Sequence, residues 1–152
     1  MKARIRRLDP SVPLPANQTA ASAGFDIAAA ESVRIEPGEV RLVRTGLVVQ
    51  APDGYFLALV VRSSLPLEKG LTLANNIGVV DADYSGPEDE IKVELLNLTA
   101  VPVEVVKGER LVQGIFLPVR QVEWQEIDRL EGESRGGFGS SGGYDPGEPR
   151  DE

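Results

Sequence analysis

Two carboxylates and an aromatic ring lie close together in the segment Gly78–Gly86, which contains Asp81 and Asp83. The segment opens on Val79 and Val80, and this β-branched context is typical of a strand or hairpin. In an extended chain the two carboxylates would leave the same face. Acids in such a run have one of two explanations, a polar turn between strands or a functional site.

The residue inventory limits the chemistry that such a site could perform. The chain contains no Cys and no His, which excludes disulfides, thiolate or imidazole metal ligands and the commonest general base. Any chemistry therefore depends on carboxylates, hydroxyls, Arg, Lys and backbone groups. The formal charge of −8 argues against a broad footprint on a nucleic-acid backbone, whereas a few local cations could still hold a small anionic ligand.

Three further segments place polar side chains within or at the end of apolar strands. Asp26 interrupts an apolar strand, and Gln113 lies in mid-strand. Arg62 ends a strongly apolar strand and is followed by Ser63 and Ser64 at the start of a predicted helical turn. That arrangement suits an anion, because free N–H groups at a helix start point towards the same side. Taken singly, Arg62 could instead be a solvated surface charge, and Gln113 could simply face water.

The elements that must position these residues are almost all strands. Short segments rich in β-forming residues alternate with turn signals such as Pro37-Gly38 and Lys107-Gly108. The predicted strands are Ser32–Ile35, Val40–Val43, Leu47–Val49, Tyr55–Val61, Ile91–Leu96, Val103–Val106 and Leu111–Leu117. The pattern predicts an all-β fold, a jelly-roll-like antiparallel sandwich or barrel, with one short helical turn after Arg62–Pro66.

The chain changes character near residue 131, where it becomes rich in Gly, Ser and charged residues. We therefore predict one β domain over residues 1–130 and a flexible arm over 131–152. The composition is typical of a disordered tail. It also suits a lid, because glycines supply hinges, Arg135, Ser140 and Ser141 supply donors, and Phe138 supplies a stacking face.

Together, in their order and spacing, these five segments resemble the five motifs of the trimeric dUTPase family, from about Ala23 to Gly142. The resemblance implies a jelly-roll-like fold of the β-clip type. It also implies hydrolysis of dUTP to dUMP and pyrophosphate with Mg²⁺ on the triphosphate. The implied assembly is a homotrimer whose sites are shared between chains.

The resemblance also assigns roles to residues. By resemblance Asp81 is the base that activates the attacking water, and Asp26 holds the metal through its coordinated waters. Uracil recognition falls to a hairpin before Asp81, and deoxyribose packs against Tyr84. The implied substrate-binding set is Arg62, Ser63, Ser64, Asn75, Gly78, Val80, Tyr84, Gln113, Arg135, Phe138, Gly139, Ser140 and Ser141. Without the resemblance, Asn75 could be a turn residue and Tyr84 a plain strand aromatic.

The chain departs from the family pattern in three places. Ser64 stands where a Gly is usual, which adds a hydroxyl beside the implied phosphate site. Ser85 replaces an Arg after the aromatic residue, and Pro87–Asp89 forms an acidic insertion beside the implied sugar site. Arg135 lies about two residues closer to Phe138 than in the commoner form of the fifth motif, so it could reach a different phosphate oxygen.

Two other functions remain open on the same fold. One is a dCTP deaminase or a bifunctional deaminase and dUTPase, because such deaminases share the Arg-Ser-Ser segment. The Asp-Ala-Asp-Tyr and Gly-Phe-Gly-Ser segments favour the dUTPase. The other is a non-catalytic, nucleotide-binding regulatory trimer. No apolar run approaches the length of a membrane span and no signal peptide is predicted, so we expect a cytoplasmic protein without membrane or nucleic-acid partners.

Overall fold

The computed structural model describes residues 1–134 and 136 of the 152-residue chain. The chain divides into two compact units, residues 1–120 and 121–152. The described residues of the second unit form no helix or strand. The first unit contains, in order, β1 (Arg4–Arg7), β2 (Phe25–Ala28), β3 (Val33–Ile35), β4 (Val40–Arg44), β5 (Leu47–Gln50), β6 (Tyr55–Val61), α1 (Ser64–Lys69), β7 (Leu71–Leu73), β8 (Gly78–Val80), β9 (Lys92–Asn97), β10 (Val103–Val105) and β11 (Arg110–Pro118).

Every strand pairing is antiparallel. The largest sheet has four strands in the order β2-β11-β6-β8, and a second has three in the order β4-β9-β7. Two further pairs join β1 to β5 and β3 to β10. Alternation is clearest in β9, where Val93, Leu95 and Asn97 are buried and the residues between them are more exposed. This period of two gives each sheet one face towards the apolar core.

The prediction of an all-β antiparallel fold is confirmed, and the predicted helical turn is α1. The sheets are open, so the described strands form no closed barrel. Strand β1 was not predicted, because all four residues of its Arg-Ile-Arg-Arg sequence are exposed and carry no alternating pattern. It is a strand because it pairs along its length with β5. In the described residues, no helix has the length and apolarity needed to cross a membrane.

Close packing at Gly114 allows β11 to lie in the middle of the four-stranded sheet. Gly114 is buried and pairs with Phe25 on β2 and with Leu59 on β6. A Cβ atom added at Gly114 would lie 2.5 Å from a ring carbon of Phe25 and 3.1 Å from a methyl carbon of Leu57. The sheet therefore needs a residue without a side chain at this position.

We expect Gly114→Ala to reduce the free energy of unfolding by about 1–3 kcal/mol, the usual effect of overpacking. Urea denaturation at a fixed protein concentration measures this change. Because the clash falls mainly on the Phe25 ring, the double variant Gly114→Ala, Phe25→Leu should recover part of the loss. Simple additivity of the two single effects would contradict the proposed clash.

Candidate active site

The pairing of β11 brings three of the polar residues singled out in the sequence to one place. Gln113 lies opposite Asp26 on one side and opposite Val60 on the other. Arg62 follows Val60 by two residues, so it projects from the same face. The backbone N–H of Arg62 also bonds to the carbonyl oxygen of Leu111, at 3.2 Å, which fixes the end of β6 against β11.

Three side chains meet around the carboxylate of Asp26, whose side chain is only 3% exposed. The Nε atom of Arg62 lies 3.3 Å from Oδ1, and the Nη1 atom of Arg110 lies 3.1 Å from Oδ2. Gln113 donates a hydrogen bond from Nε2 to Oδ1 at 3.4 Å. We call these four residues the Asp26 cluster. With two guanidinium groups and one carboxylate, the cluster carries a net positive charge and suits an anionic ligand.

Arg110 was not predicted, and a β-bulge explains why. Arg110 and Gln113 are three residues apart, so in a regular strand their side chains would point to opposite faces. The register shifts between Arg110 and Val112, which adds a residue to β11 and turns its start round. Arg110 consequently lies opposite Ala28, on the face that Asp26 occupies. The one signal in the sequence was the closeness of Arg110 to Gln113.

A groove of about 290 Å³ borders this cluster, where β6 ends and α1 begins. Arg62, Ser64 and Arg110 line it together with Lys69, whose Nζ atom lies 2.7 Å from Glu109. Ser63 precedes α1 and makes no side-chain capping hydrogen bond. Its hydroxyl is therefore not committed to the helix start, so the Arg-Ser-Ser segment presents donors beside the Asp26 cluster.

A second polar region is a cavity of about 340 Å³ beside the turn between β7 and β8, which we call the hairpin cavity. The resemblance implied a hairpin here, but β7 pairs with β9 and β8 pairs with β6, so these two strands do not pair with each other. Its lining includes the predicted residues Asn75, Gly78, Val80, Asp81 and Tyr84. The rest of the lining is Leu42, Leu59, Val79, Glu90, Ile91, Lys92 and Glu94. The structure therefore gathers in one cavity the five residues of the β domain that the resemblance assigned to base, sugar and water.

The turn between β7 and β8 contains two neighbouring asparagines that differ in backbone conformation. Asn76 has a positive φ of 61°, the left-handed conformation that Asn tolerates better than most residues. Asn75 has no such conformation, and only Asn75 of the two lines the cavity. The left-handed turn position thus belongs to Asn76, which leaves the side chain of Asn75 available to a ligand.

The expectation that Asp81 and Asp83 share one face of an extended segment is wrong. Strand β8 ends at Val80, and the chain then turns. The N–H of Tyr84 bonds to the carbonyl oxygen of Asp81 at 3.2 Å, and the N–H of Ser85 bonds to that of Asp83 at 2.9 Å. The turn separates the two carboxylates, so that Asp81 lines the hairpin cavity and Asp83 does not.

The structure does not bring Asp81 to the Asp26 cluster within one chain. Val80 pairs with Leu57 near the start of β6, and Arg62 follows the far end of the same strand. Val80, the residue before Asp81, is therefore level with a position five residues before Arg62. At the rise of a strand, five residues span roughly 17 Å.

The remaining site predictions concern the tail. Arg135, Phe138, Gly139, Ser140 and Ser141 lie outside the described residues. Among the residues that the structure does describe, no group of three or more acidic side chains could enclose a metal ion.

A positively charged cluster and a polar cavity of nucleoside size, both on antiparallel strands, define the class as all-β nucleotide-binding enzymes.

Comparisons with known proteins narrow this class. A family model described as dUTPase matches residues 11–142. The deoxyuridine 5′-triphosphate nucleotidohydrolase of Thermobifida fusca is 44% identical over 147 residues, 95% of this chain and 80% of that protein. The protein of the same name from Nautilia profundicola is 41% identical over 144 residues, 93% of this chain and 99% of its own.

Solved structures agree with this assignment. The crystal structure of dUTPase from Streptococcus mutans has a TM-score of 0.73 at 36% identity, covering 82% of this chain and 100% of that one. The Staphylococcus bacteriophage 80alpha dUTPase with dUpNHpp has a TM-score of 0.83, covering 93% and 98%; at 24% identity this likeness shows the fold alone. The chain belongs to the dUTPase family.

We expect Arg110→Gln to reduce the free energy of unfolding by about 1 kcal/mol, because it leaves a buried carboxylate with one charged partner instead of two. The half-exposed position of Arg110 limits the effect. Arg41→Gln is the matched control, since Arg41 is equally exposed and pairs at 3.4 Å with Glu39, a more exposed carboxylate. Equal urea midpoints for both variants would show that the Arg110–Asp26 pair contributes no more than the more exposed Arg41–Glu39 pair.

Proposed function

We propose that this chain hydrolyses dUTP to dUMP and pyrophosphate through attack of water on the α-phosphorus. The observation that carries the proposal is the hairpin cavity, in which Asn75, Tyr84 and Asp81 line one space of about 340 Å³. In this member of the dUTPase family, Asn75 is proposed to bind the base, Tyr84 the sugar, and Asp81 the proton of the attacking water. All three residues lie around one nucleoside-sized volume. The relatives from T. fusca and N. profundicola are named deoxyuridine 5′-triphosphate nucleotidohydrolases, which supports the same substrate here.

Asp81 is the proposed general base. It is exposed at the cavity wall, and its carboxylate has no hydrogen-bond partner among the described residues. A carboxylate in this position can accept the proton of a water molecule and orient that water for in-line attack. The chain has no His to perform this role.

Uracil is the proposed ligand of strand β8, because β8 is the edge of its sheet. Among the described strands only β6 pairs with it, so the outward N–H and C=O groups of β8 are not used by the sheet. An edge of unpaired donors and acceptors can form hydrogen bonds with the edge of a base, as another strand would. Gly78 and Val80 supply these backbone groups, Asn75 adds a side-chain amide, and Tyr84 packs against the deoxyribose.

The phosphates are proposed to bind at the Asp26 cluster and at the Arg-Ser-Ser segment. Arg62 and Arg110 can contact phosphate oxygens with planar, multidentate donors. Ser63, Ser64 and Gln113 add neutral donors at the same end of β6. We further propose that Arg135, Phe138, Gly139, Ser140 and Ser141 close over the nucleotide from the tail.

Mg²⁺ is the proposed cofactor, carried by the triphosphate. The Asp26 cluster does not suit direct coordination, because guanidinium groups already engage both carboxylate oxygens of Asp26. Oδ1 faces both Arg62 and Gln113, whereas Oδ2 faces Arg110 alone and has a further lone pair. Asp26 therefore fits a contact with metal-bound water through Oδ2, a common mode for Mg²⁺. The metal would draw charge away from the phosphate oxygens. The side chains of this chain orient the phosphates and accept the proton.

The active enzyme is proposed to be a homotrimer with sites shared between chains. The separation of Asp81 from Arg62 along β6 supports this assembly, because one triphosphate cannot span both ends of the strand and still place its α-phosphorus at Asp81. A ring of identical chains places the start of one β6 against the end of another. The number three follows from the family resemblance.

Replacing the proposed base tests the mechanism. We expect Asp81→Asn to lower kcat about a hundredfold or more, while dUpNHpp, whose α,β-bridging atom is nitrogen, still binds in calorimetry. Asp83→Asn is the matched control, because it removes the neighbouring carboxylate that does not line the cavity. Near-normal turnover in Asp81→Asn, or an equal loss in Asp83→Asn, would remove Asp81 from this role.

Mixing two inactive variants tests the shared site. Arg62→Gln and Asp81→Asn chains are co-expressed with different tags and purified through both tags. If each site takes Arg62 from one chain and Asp81 from another, one site in each mixed trimer, about one in three, regains both residues, and dUTP hydrolysis returns. Hydrolysis that stays at the level of the separate variants would mean that each site is built from one chain.

A further inference from the structure

Tyr84 needs an explanation for its fixed position, because little of the described structure packs around it. Its side chain is 46% exposed. Its hydroxyl donates one hydrogen bond, to the backbone carbonyl oxygen of Glu90 at 3.3 Å. The insertion Pro87–Asp89 lengthens the chain between these two residues, so chain connectivity alone does not hold Tyr84 in place. Whatever fixes Glu90 therefore also fixes the ring of Tyr84.

Glu90 is held by its side chain. It is 8% exposed, and its two carboxylate oxygens lie 2.9 and 3.2 Å from the Nε atom of Arg44. The N–H of Gly46 donates to Oε1 at 2.7 Å. The Glu90 carboxylate raises the pKa of Arg44 above its ordinary value, mainly through the hydrogen bond between the two side chains. Thus Glu90 attaches the loop after Tyr84 to the turn between β4 and β5.

The turn that receives Glu90 is itself tightly constrained. Gly46 has a φ of 68°, and a Cβ there would lie 2.9 Å from a methyl carbon of Val12. Its carbonyl oxygen accepts from the N–H of Leu8 at 2.8 Å. Next to Glu90, the N–H of Ile91 bonds to the carbonyl oxygen of Leu47 at 2.8 Å. Glu90 therefore joins the loop to a part of the fold that cannot shift easily.

The inserted residues close on themselves instead of holding Tyr84. The Asp89 carboxylate accepts from the N–H of Gly86 at 2.6 Å, and the N–H of Glu90 bonds to the carbonyl oxygen of Glu88 at 2.7 Å. Arg6 donates to the carbonyl oxygen of Pro87 at 2.7 Å. The loop is thus a compact turn tied to β1, and the Glu88 side chain projects into solvent.

We propose that Glu90 is a positioning residue for sugar discrimination. Its carboxylate, bound by Arg44 and Gly46, sets the distance between the Tyr84 ring and the ribose, and thereby excludes a 2′-hydroxyl. This inference rests on the proposed function of Tyr84. Glu90 acts through its backbone carbonyl and need not touch the nucleotide.

The test is the ratio of kcat/KM for dUTP to kcat/KM for UTP. Glu90→Gln keeps the size of the side chain but loses the charged bond to Arg44, and we expect the ratio to fall by roughly tenfold. Most of the change in this ratio should come from changes in KM, whereas kcat for dUTP should change less. Glu88→Gln is the matched control, because it makes the same chemical change two residues away in solvent, and it should leave the ratio unchanged.

A double-mutant cycle separates positioning from general weakening of the fold. Tyr84→Phe removes the hydroxyl that reports on Glu90, so in that background Glu90→Gln should change the ratio little further. Equal effects of Glu90→Gln with and without the Tyr84 hydroxyl would overturn the proposal, as would an unchanged ratio in the single variant. If Glu90→Gln fails to fold, Arg44→Gln removes the same contact from its half-exposed side and should give the same fall.

The outcomes also distinguish this inference from the proposed function. Failure of the unaltered protein to hydrolyse dUTP would refute the proposed function. Hydrolysis with a strong preference over UTP, combined with an unchanged ratio in Glu90→Gln and Arg44→Gln, would refute only the role of Glu90. A normal ratio in Tyr84→Ala would show that the sugar is sensed elsewhere.

Discussion

The antiparallel register of β11 is the constraint on which the Asp26 cluster depends. The strand pairs on both sides, with β2 and with β6, so a single alignment places Gln113 opposite both Asp26 and Val60. A slip of one residue would turn every side chain of the strand to the other face. The bulge at its start adds Arg110 to the same face, and the absence of a side chain at Gly114 allows the three strands to approach. The anion-binding chemistry is therefore a property of strand pairing more than of any one residue.

The second constraint is the length of β6, which separates the two halves of the proposed site. Asp81 lies beyond the start of the strand and Arg62 beyond its end, so the residue proposed to activate water and the residues proposed to hold phosphates do not meet within one chain. If the site forms between chains, nucleotide binding and assembly are thermodynamically linked, because a ligand that binds only the assembled form stabilises that form. On this proposal, a lone chain carries no complete hydrolytic site.

The sequence predicted the strand-rich fold and most of the polar residues of the Asp26 cluster and the hairpin cavity. Alternation, turn residues and acidic residues within apolar segments are all local signals. It failed where the determining partner is distant in the chain. Strand β1 has no pattern of its own and exists through β5, and Arg110 shares a face with Asp26 only because of the bulge. Glu90 was not predicted for the same reason, because its partner Arg44 lies on β4, far from it in the chain. Asp81 and Asp83 were placed on one face because the turn after Val80 depends on backbone hydrogen bonds that spacing does not reveal.

The local charge of the Asp26 cluster differs from the charge of the whole chain. The whole chain has a formal charge of −8, yet the screening length at physiological salt is only about 8 Å, so nearby groups decide what binds. Within the Asp26 cluster, Arg62 and Arg110 exceed Asp26 by a single positive charge, and Glu109 neutralises Lys69. One net charge cannot balance a triphosphate. In the proposed mechanism, a divalent cation that travels with the nucleotide would supply most of the difference. Asp26 would then have two functions: it fixes the two guanidinium groups, and the remaining lone pair of its Oδ2 atom contacts a water of the metal. On this view the protein contributes geometry, and the metal contributes most of the charge.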